Sequence, residues 1–441
     1  MYAFQLWREY KLSFAEIYAK FPNIKIEYVD KNICILDTRN REQLIGWVQH
    51  MWWVIKLIEL IENYRWKPYE NIYESIKGFT GKYRYWISIL WEWKNLKDLL
   101  MKSKRYFKEK EISARFINKN FSQLSSAQII WENLVERQSD FTLIVTWNKA
   151  EYFWKTIWIQ DIDAYSKRDY GKTRDMEVGM LPPKLAQMMI NIGLSYPSSH
   201  NTSLNSLLQG EMKQQNIAAS FPSQGKEFKI EVSRVKYNIA CDSINWVITS
   251  QIVYDPFCGL GTVLIESILM GNMEVYGSDI SSENIEKTKL NIEYATNNFK
   301  NNLTKSELKV LDARGISSSP YLKQSDAIVT EWYLGQIFQK YSITEKKISE
   351  EKSKLLDIYS HFFEWLKRAK YQGNIVICFP FWEIKWKYFY FSEIYDIVNK
   401  HCNIQSLLPK NIDMKVTKSW SLLYKRDNQI VGREIFKLKM R

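Results

Sequence analysis

Three features of the chain predict an α/β protein, with a doubly wound parallel sheet in its C-terminal part and smaller α+β units before it. From residue 250 onward, strand-like runs alternate regularly with helical ones. The first 65 residues read in the order β-α-β-β, which suits a small ferredoxin-like unit. The length of 441 residues calls for two or three domains rather than one core.

Within residues 1–65, "YAFQLW" reads as a strand and "LSFAEIYAKF" as a helix, with Ser13 as its N-cap and apolar residues three and four apart. "IKIEYVD" and "NICILDT" read as two further strands. Residues 66–168 repeat the alternation: "YRYWISIL" as a strand, "NLKDLLMKSKRYFKEK" as a basic amphipathic helix, and "SARFINKN" as a strand. "LSSAQIIWENLVERQ" follows as a helix, then "DFTLIVTW" and "KTIWIQDI" as strands. Pro182 and Pro183 open a helix over "KLAQMMINI". The stretch from 194 to about 249 is rich in Ser, Asn and Gln at its start and reads as an inserted loop. The C-terminal strands are "IVYDP", "EVYGSDI", "ELKVLDA", "DAIVT" and "NIVICFP". A terminal hairpin surrounds Asp427-Asn428.

The formal charge of +13, from 62 basic and 49 acidic residues, favours a polyanionic partner, of which nucleic acid is the commonest. The densest basic run is "KSKRYFKEKEISARFINK" (102–119), where interleaved aromatic and apolar residues argue for a folded element. No apolar run reaches a membrane span, and the N-terminus lacks the order of a signal peptide. Five cysteines without a CxxC pair, and four histidines, argue against zinc and against a disulfide framework. A cytoplasmic protein with reduced thiols is expected.

The chain has 18 Trp and only 16 Gly in 441 residues, where Gly is ordinarily about 7%. Trp52, Trp53, Trp154, Trp158, Trp332 and Trp420 stand at positions that suit a residue without Cβ. The surplus reads as UGA translated as Trp in a source that decodes UGA as Gly. The other reading is an aromatic surface that stacks on bases. On the recoding reading, several Trp side chains should project into water at tight bends. Trp382 can be genuine.

The strongest motif is "YDPFCGLGTVLIESILMG" (254–271). A strand ends at Asp255, Gly259 and Gly261 allow a tight turn, and a helix runs from Thr262 to about Met270, closed by Gly271. This sets backbone N–H groups and a helix N-terminus beside a nucleotide-like group. No Gly-Lys-Ser/Thr follows, so it is not a P-loop. Asp279 and Asp312 end the next two strands, where carboxylates can accept from ribose hydroxyls and an adenine amine, or else cap helices. Ser282 or Asn284 is the expected cap after Asp279. After the fourth strand comes "TEWYLGQ". Glu331 offers a side-chain acceptor there, Tyr333 an aromatic platform, and Trp332, as a Trp, would crowd a substrate pocket.

The glycine loop resembles the cofactor loop of class I S-adenosylmethionine (SAM)-dependent methyltransferases of the amino-methylating type. Over most of its length the chain resembles the THUMP-containing tRNA guanosine-N2 methyltransferases, in "LWREYKLSFAEI", "SARFINKNFSQLSSAQII", "WIQDIDAYSKRDYGKTRDMEVGMLPPKLAQMMINIG" and "YKRDNQIVGREI". The resemblance implies a ferredoxin-like domain over 1–65, a THUMP-like RNA-binding domain over 66–168 and a Rossmann-like methyltransferase domain over 169–441. It implies that Asp255, Pro256, Phe257, Cys258, Gly259, Gly261, Thr262, Asp279, Ile280, Asp312 and Ala313 hold SAM. Glu331, Trp332 and Tyr333 would then line the catalytic loop, tRNA would be the partner, and no metal or membrane would be needed. The family's Asp/Asn-Pro-Pro-Tyr is absent at 331–334. A DNA amino-methyltransferase and an inactive RNA-binding protein stay open as other readings.

Overall fold

The computed structural model describes residues 1–163, 181–195 and 251–441, with short breaks at 52, 62–66, 91–94, 273, 300, 302, 304, 336–342, 413, 415–416, 418 and 428. It also describes a two-stranded ladder within 228–239. The chain divides into two compact units, residues 1–14 with 24–167 and residues 15–23 with 168–441.

The first unit contains one eight-stranded sheet. Its strands are β1 (Tyr2–Leu6), β2 (Lys25–Val29), β3 (Ile33–Asp37), β4 (Val54–Glu59), β5 (Tyr83–Leu90), β6 (Ala114–Phe116), β7 (Asp140–Val145) and β8 (Glu151–Ile159). Their order is β2-β3-β1-β4-β8-β7-β5-β6. The first four strands share the sheet with the last four through an antiparallel β4–β8 pairing, Lys56 opposite Ile159. A buried ion pair spans that seam: Lys56 Nζ lies 2.7 Å from Asp140 Oδ2, which also accepts from Thr156 Oγ1 at 2.5 Å. Such a pair stabilises only its own register, because a slip would orphan a buried charge.

Helices α1 (Tyr10–Lys20), α2 (Arg41–Val48), α3 (Pro68–Ile76), α4 (Leu96–Glu109) and α5 (Ser126–Trp131) join these strands. Ser13 does not cap α1. The helix begins three residues earlier, and the Ser13 hydroxyl accepts from Trp7 N–H at 3.3 Å from inside it. Helix α4 buries Leu100, Ser103 and Phe107 on one side and exposes Lys97, Lys104, Arg105 and Lys108 on the other. The three-and-four spacing that amphipathic reading relies on thus separates its core from its charge.

In the second unit, α6 (Pro183–Gly193) starts on Pro183 as expected. The inserted stretch contains an antiparallel pair, β9 (Phe228–Val232) with β10 (Val235–Ile239), where the composition suggested only a loop. The main sheet takes β11 (Val253–Asp255), β12 (Glu274–Asp279), β13 (Lys305–Val310), β14 (Ala327–Glu331), β15 (Asn374–Ile384), β16 (Lys387–Tyr390), β17 (Cys402–Gln405), β18 (Leu422–Tyr424) and β19 (Val431–Met440). The path is β13-β12-β11-β14-β15-β19-β17. Strands β11 to β15 are parallel, and β19 is antiparallel to both of its neighbours. This is a doubly wound, Rossmann-like sheet with an antiparallel end, and β18 with β19 forms the expected terminal hairpin.

Helices α7 (Thr262–Leu269) and α8 (Ser282–Asn298) share one core, with Leu264, Ile268, Val275 and Ile292. Helices α9 (Glu345–Arg368) and α10 (Ile394–His401) share the other, with Tyr359, Phe362, Phe379 and Phe436. Asn284 and Ser282 lie within α8, whose N-cap is Ser281, accepting from Asn284 N–H at 3.3 Å.

The tryptophans stand in several settings, Trp131 and Trp147 being 87% and 72% exposed without a left-handed φ. Trp53, Trp86, Trp332 and Trp382 are buried, and Trp154 and Trp158 lie within β8 rather than at a turn, Trp158 beside a register shift in the pairing with β4. Trp52 lies outside the described residues. Trp386 and Trp420 instead have left-handed φ of 67° and 59° and are 93% and 45% exposed. Those two meet the expectation of indoles in water at tight bends. An L-residue there costs about 1–2 kcal/mol that glycine avoids, and an exposed indole recovers little of it. Trp386→Gly and Trp420→Gly are each expected to raise stability by about 1 kcal/mol, read as a higher midpoint in urea unfolding. Unchanged or lower midpoints would show that neither bend favours glycine.

Candidate active site

In a doubly wound sheet the crevice opens beyond the carboxyl ends of the strands, where the order reverses. Here the reversal lies between β11 and β14, and the crevice opens past Asp255.

Asp255 is buried. Its Oδ1 accepts from Phe257 N–H at 3.1 Å and from Thr330 Oγ1 at 2.6 Å, joining the ends of β11 and β14. Burial pushes its carboxyl up to about 7, against the lowering effect of those two donors. The loop beyond it is held from several sides. Cys258 N–H donates to Ser278 O at 2.9 Å and Gly261 N–H to Cys258 O at 2.7 Å. Thr288 Oγ1 donates to Gly259 O at 2.6 Å, and Asn291 Nδ2 to Leu260 O at 3.0 Å. With its carbonyls pinned from α8, the loop cannot rotate them toward a ligand.

Gly261 is the N-cap of α7 at φ 80°, and α7 has no side-chain cap. The first N–H groups of α7 therefore stay available at the positive end of the helix dipole. A Cβ at Gly261 would lie 2.7 Å from Thr288 Cγ2. The N–H of Gly259, expected to face a ligand, is instead spent on Asp279 Oδ2 at 3.0 Å.

Asp279 ends β12 as expected. Its Oδ1 accepts from Ser281 N–H at 2.9 Å and Asn284 Nδ2 at 3.1 Å, so the carboxylate is fixed at the crevice edge. Asp312 lies just beyond β13, where it caps a short 3-10 turn through Arg314 N–H at 2.9 Å and pairs with the Arg314 guanidinium at 2.6 Å. Those hydrogen bonds hold its carboxyl below the usual range. Ala313 is buried in that turn. Ile280 and Val310 are 66% and 51% exposed, on the residue after β12 and on the last residue of β13. Apolar side chains left in water at the edge of a crevice suit the faces of a purine. Val310 was not among the residues singled out from sequence, because one Val at a strand end carries no distinctive signal.

Pro256 and Phe257 turn the chain out of β11. Cys258 is buried, its thiol pushed well up by burial and therefore protonated and inert. Thr262 is the first residue of α7.

The second loop follows β14. Thr330 points to Asp255. Glu331 pairs with buried Arg433 of β19, through Nε to Oε1. Trp332 does not stand open in a pocket. It is 2% exposed, and its ring centroid lies 3.7 Å from that of Phe257, 4.2 Å from Tyr359 and 4.8 Å from Phe362. Its φ is negative, so this turn does not itself require glycine. Tyr333 is 55% exposed. Arg433 and Thr330 escaped the sequence reading, since their partners lie 102 and 75 residues away.

The residues of this crevice fit an adenosyl group on three counts: an uncapped helix N-terminus, a fixed carboxylate on the second strand, and apolar side chains exposed beside it. Among the described residues, no group of three or more His, Cys, Asp or Glu is placed to hold a metal ion. Nor is any helix among them long and apolar enough to cross a membrane.

No protein-family profile matches the chain. A tRNA (guanine(10)-N2)-dimethyltransferase of Pyrococcus abyssi is 43% identical over 56 residues, which span 13% of this chain and 17% of that relative. The chain thus matches about a sixth of that relative's length. Among solved structures, TrmN from Thermus thermophilus aligns over 100% of this chain and 99% of its own, at 11% identity and a TM-score of 0.45. NSun6 from Pyrococcus horikoshii aligns over 43% and 47%, at 16% identity and a TM-score of 0.30.

Proposed function

We propose that this chain is a SAM-dependent methyltransferase acting on the exocyclic N2 amine of a guanosine in tRNA. The single observation that carries the reading is the crevice at the β11–β14 reversal. There an uncapped helix N-terminus and a fixed carboxylate adjoin a loop bearing a second carboxylate, Glu331. The 56-residue likeness to a tRNA (guanine(10)-N2)-dimethyltransferase supports the same substrate class.

When bound, SAM supplies an electrophilic methyl group. The first turn of α7 offers N–H donors, and Asp279 offers acceptor capacity at the edge where ribose hydroxyls would lie. Ile280 and Val310 would hold the purine between apolar side chains, and Asp312 and Ala313 would be its further contacts. Glu331 accepts from the target amine, localising its lone pair, and Tyr333 holds the base. The base must leave its stack to reach this loop. RNA docks through the first unit, whose α4 presents Lys97, Lys104, Arg105 and Lys108 to phosphates. In this reading residues 1–65 are the ferredoxin-like domain, 66–168 the THUMP-like domain and 169–441 the methyltransferase domain, and the protein works in the cytoplasm.

The test is nucleoside mass spectrometry of unmodified tRNA incubated with the full chain and labelled SAM. N2-methylguanosine is the expected product. Absence of label from tRNA overturns the reading, and label on DNA bases instead moves the activity to DNA.

A further inference from the structure

We infer that Arg433 is a positioning residue for the Glu331 carboxylate, holding its Oε1 from behind so that Oε2 stays aimed for the target amine. The inference rests on the methyltransferase reading above.

The geometry carries it. Glu331 is the last residue of β14, and its neighbour across the parallel pairing is Cys378 of β15. Arg433 stands on β19, one strand further on, opposite Pro380. Its side chain reaches past β15 to bring Nε to Glu331 Oε1, while Nη1 donates to Gln429 Oε1 at 3.4 Å. The two side chains are 2% and 10% exposed. A carboxylate so enclosed would otherwise protonate or turn toward water. A buried guanidinium does not lose its proton, so it fixes both the charge and the rotamer of its partner.

The groups around Glu331 are few. Arg433 and the more distant Arg426 favour its charged form. Asp255, Cys378 and Tyr359 feel its charge, and burial raises all three. Glu331 itself lies above the ordinary range because burial outweighs both arginines. Turnover should therefore fall as pH drops through that raised value, and removing Arg433 should move the falling limb to higher pH.

The experiment uses the full chain and its Arg433→Gln, Arg433→Lys and Glu331→Gln/Arg433→Gln variants. In Arg433→Gln the acidic limb of kcat is expected to move up by about one pH unit or more, so kcat near the limb drops about tenfold. KM for tRNA should change by less than about twofold, since only an interaction made in the transition state is lost. Arg433→Lys should restore part of the shift. The double variant removes the charge with its partner and keeps a folded reference if Arg433→Gln unfolds. Infrared titration of protein with labelled glutamate carboxyls reads the Glu331 transition without any substrate. An unshifted band together with an unshifted kcat limb overturns the role of Arg433. A shifted band in a protein that binds no SAM would instead overturn the methyltransferase reading and leave the pairing intact.

Discussion

Gly261→Val is expected to abolish uptake of the adenosyl donor and to destabilise the C-terminal unit by about 2–4 kcal/mol. Two costs combine. The position holds φ at 80°, which a β-branched residue adopts only under strain. A Cβ there would also lie 2.7 Å from Thr288 Cγ2. Thr288 cannot simply rotate away, because its hydroxyl holds Gly259 O at 2.6 Å. Relief must come from the loop or from α8, and either movement disturbs the first N–H groups of α7. Isothermal calorimetry with SAM or its demethylated product reads the first effect, and urea unfolding reads the second. Normal uptake by a folded Gly261→Val protein would show that the α7 terminus is not where the donor sits.

Asp255→Asn is expected to stabilise the protein at pH 8 by at most about 4 kcal/mol, with the gain shrinking toward zero near pH 4. The sign follows from burial. Asp255 titrates near 7 in the folded protein against an ordinary value of 3.8. Between those values the folded state binds the extra proton, so stability falls as pH rises from about 4 to 7 and then levels. An amide keeps the oxygen that accepts from Thr330 and Phe257 and carries no charge to desolvate. Thermal unfolding from pH 4 to pH 8 should show a sloping difference between the two proteins. A parallel offset would mean that Asp255 is not the titrating group. Asp255 joins the ends of β11 and β14 at the crevice, so SAM affinity should weaken in the same variant.

Much of the C-terminal unit was legible from residue order. "DPFCGLGT" announces a strand, a tight turn and a helix because Asp, Gly and Thr each have a local conformational reason to stand there. The apolar runs after 250 likewise announce buried strands, and the structure joins them in a doubly wound sheet. Caps were less legible. Ser13, Ser282 and Asn284 all have side chains that can cap, and which one does depends on where the helix enters its packing. The tryptophan surplus was visible as composition, but composition could not distinguish the buried stack of Trp332 from the left-handed bends at Trp386 and Trp420.

By itself, the order of residues determined the alternation of strands and helices, the glycine turn after Asp255, and the basic face of α4. These are local properties, set by side-chain spacing and backbone freedom over a few residues. The tertiary structure alone decided that Glu331 meets Arg433 across an intervening strand, that Thr330 anchors Asp255, and that Trp332 turns inward onto Phe257. Each of those contacts joins residues 75 or more positions apart. No short-range pattern specifies such a contact, because it exists only once the sheet order brings the strand ends together.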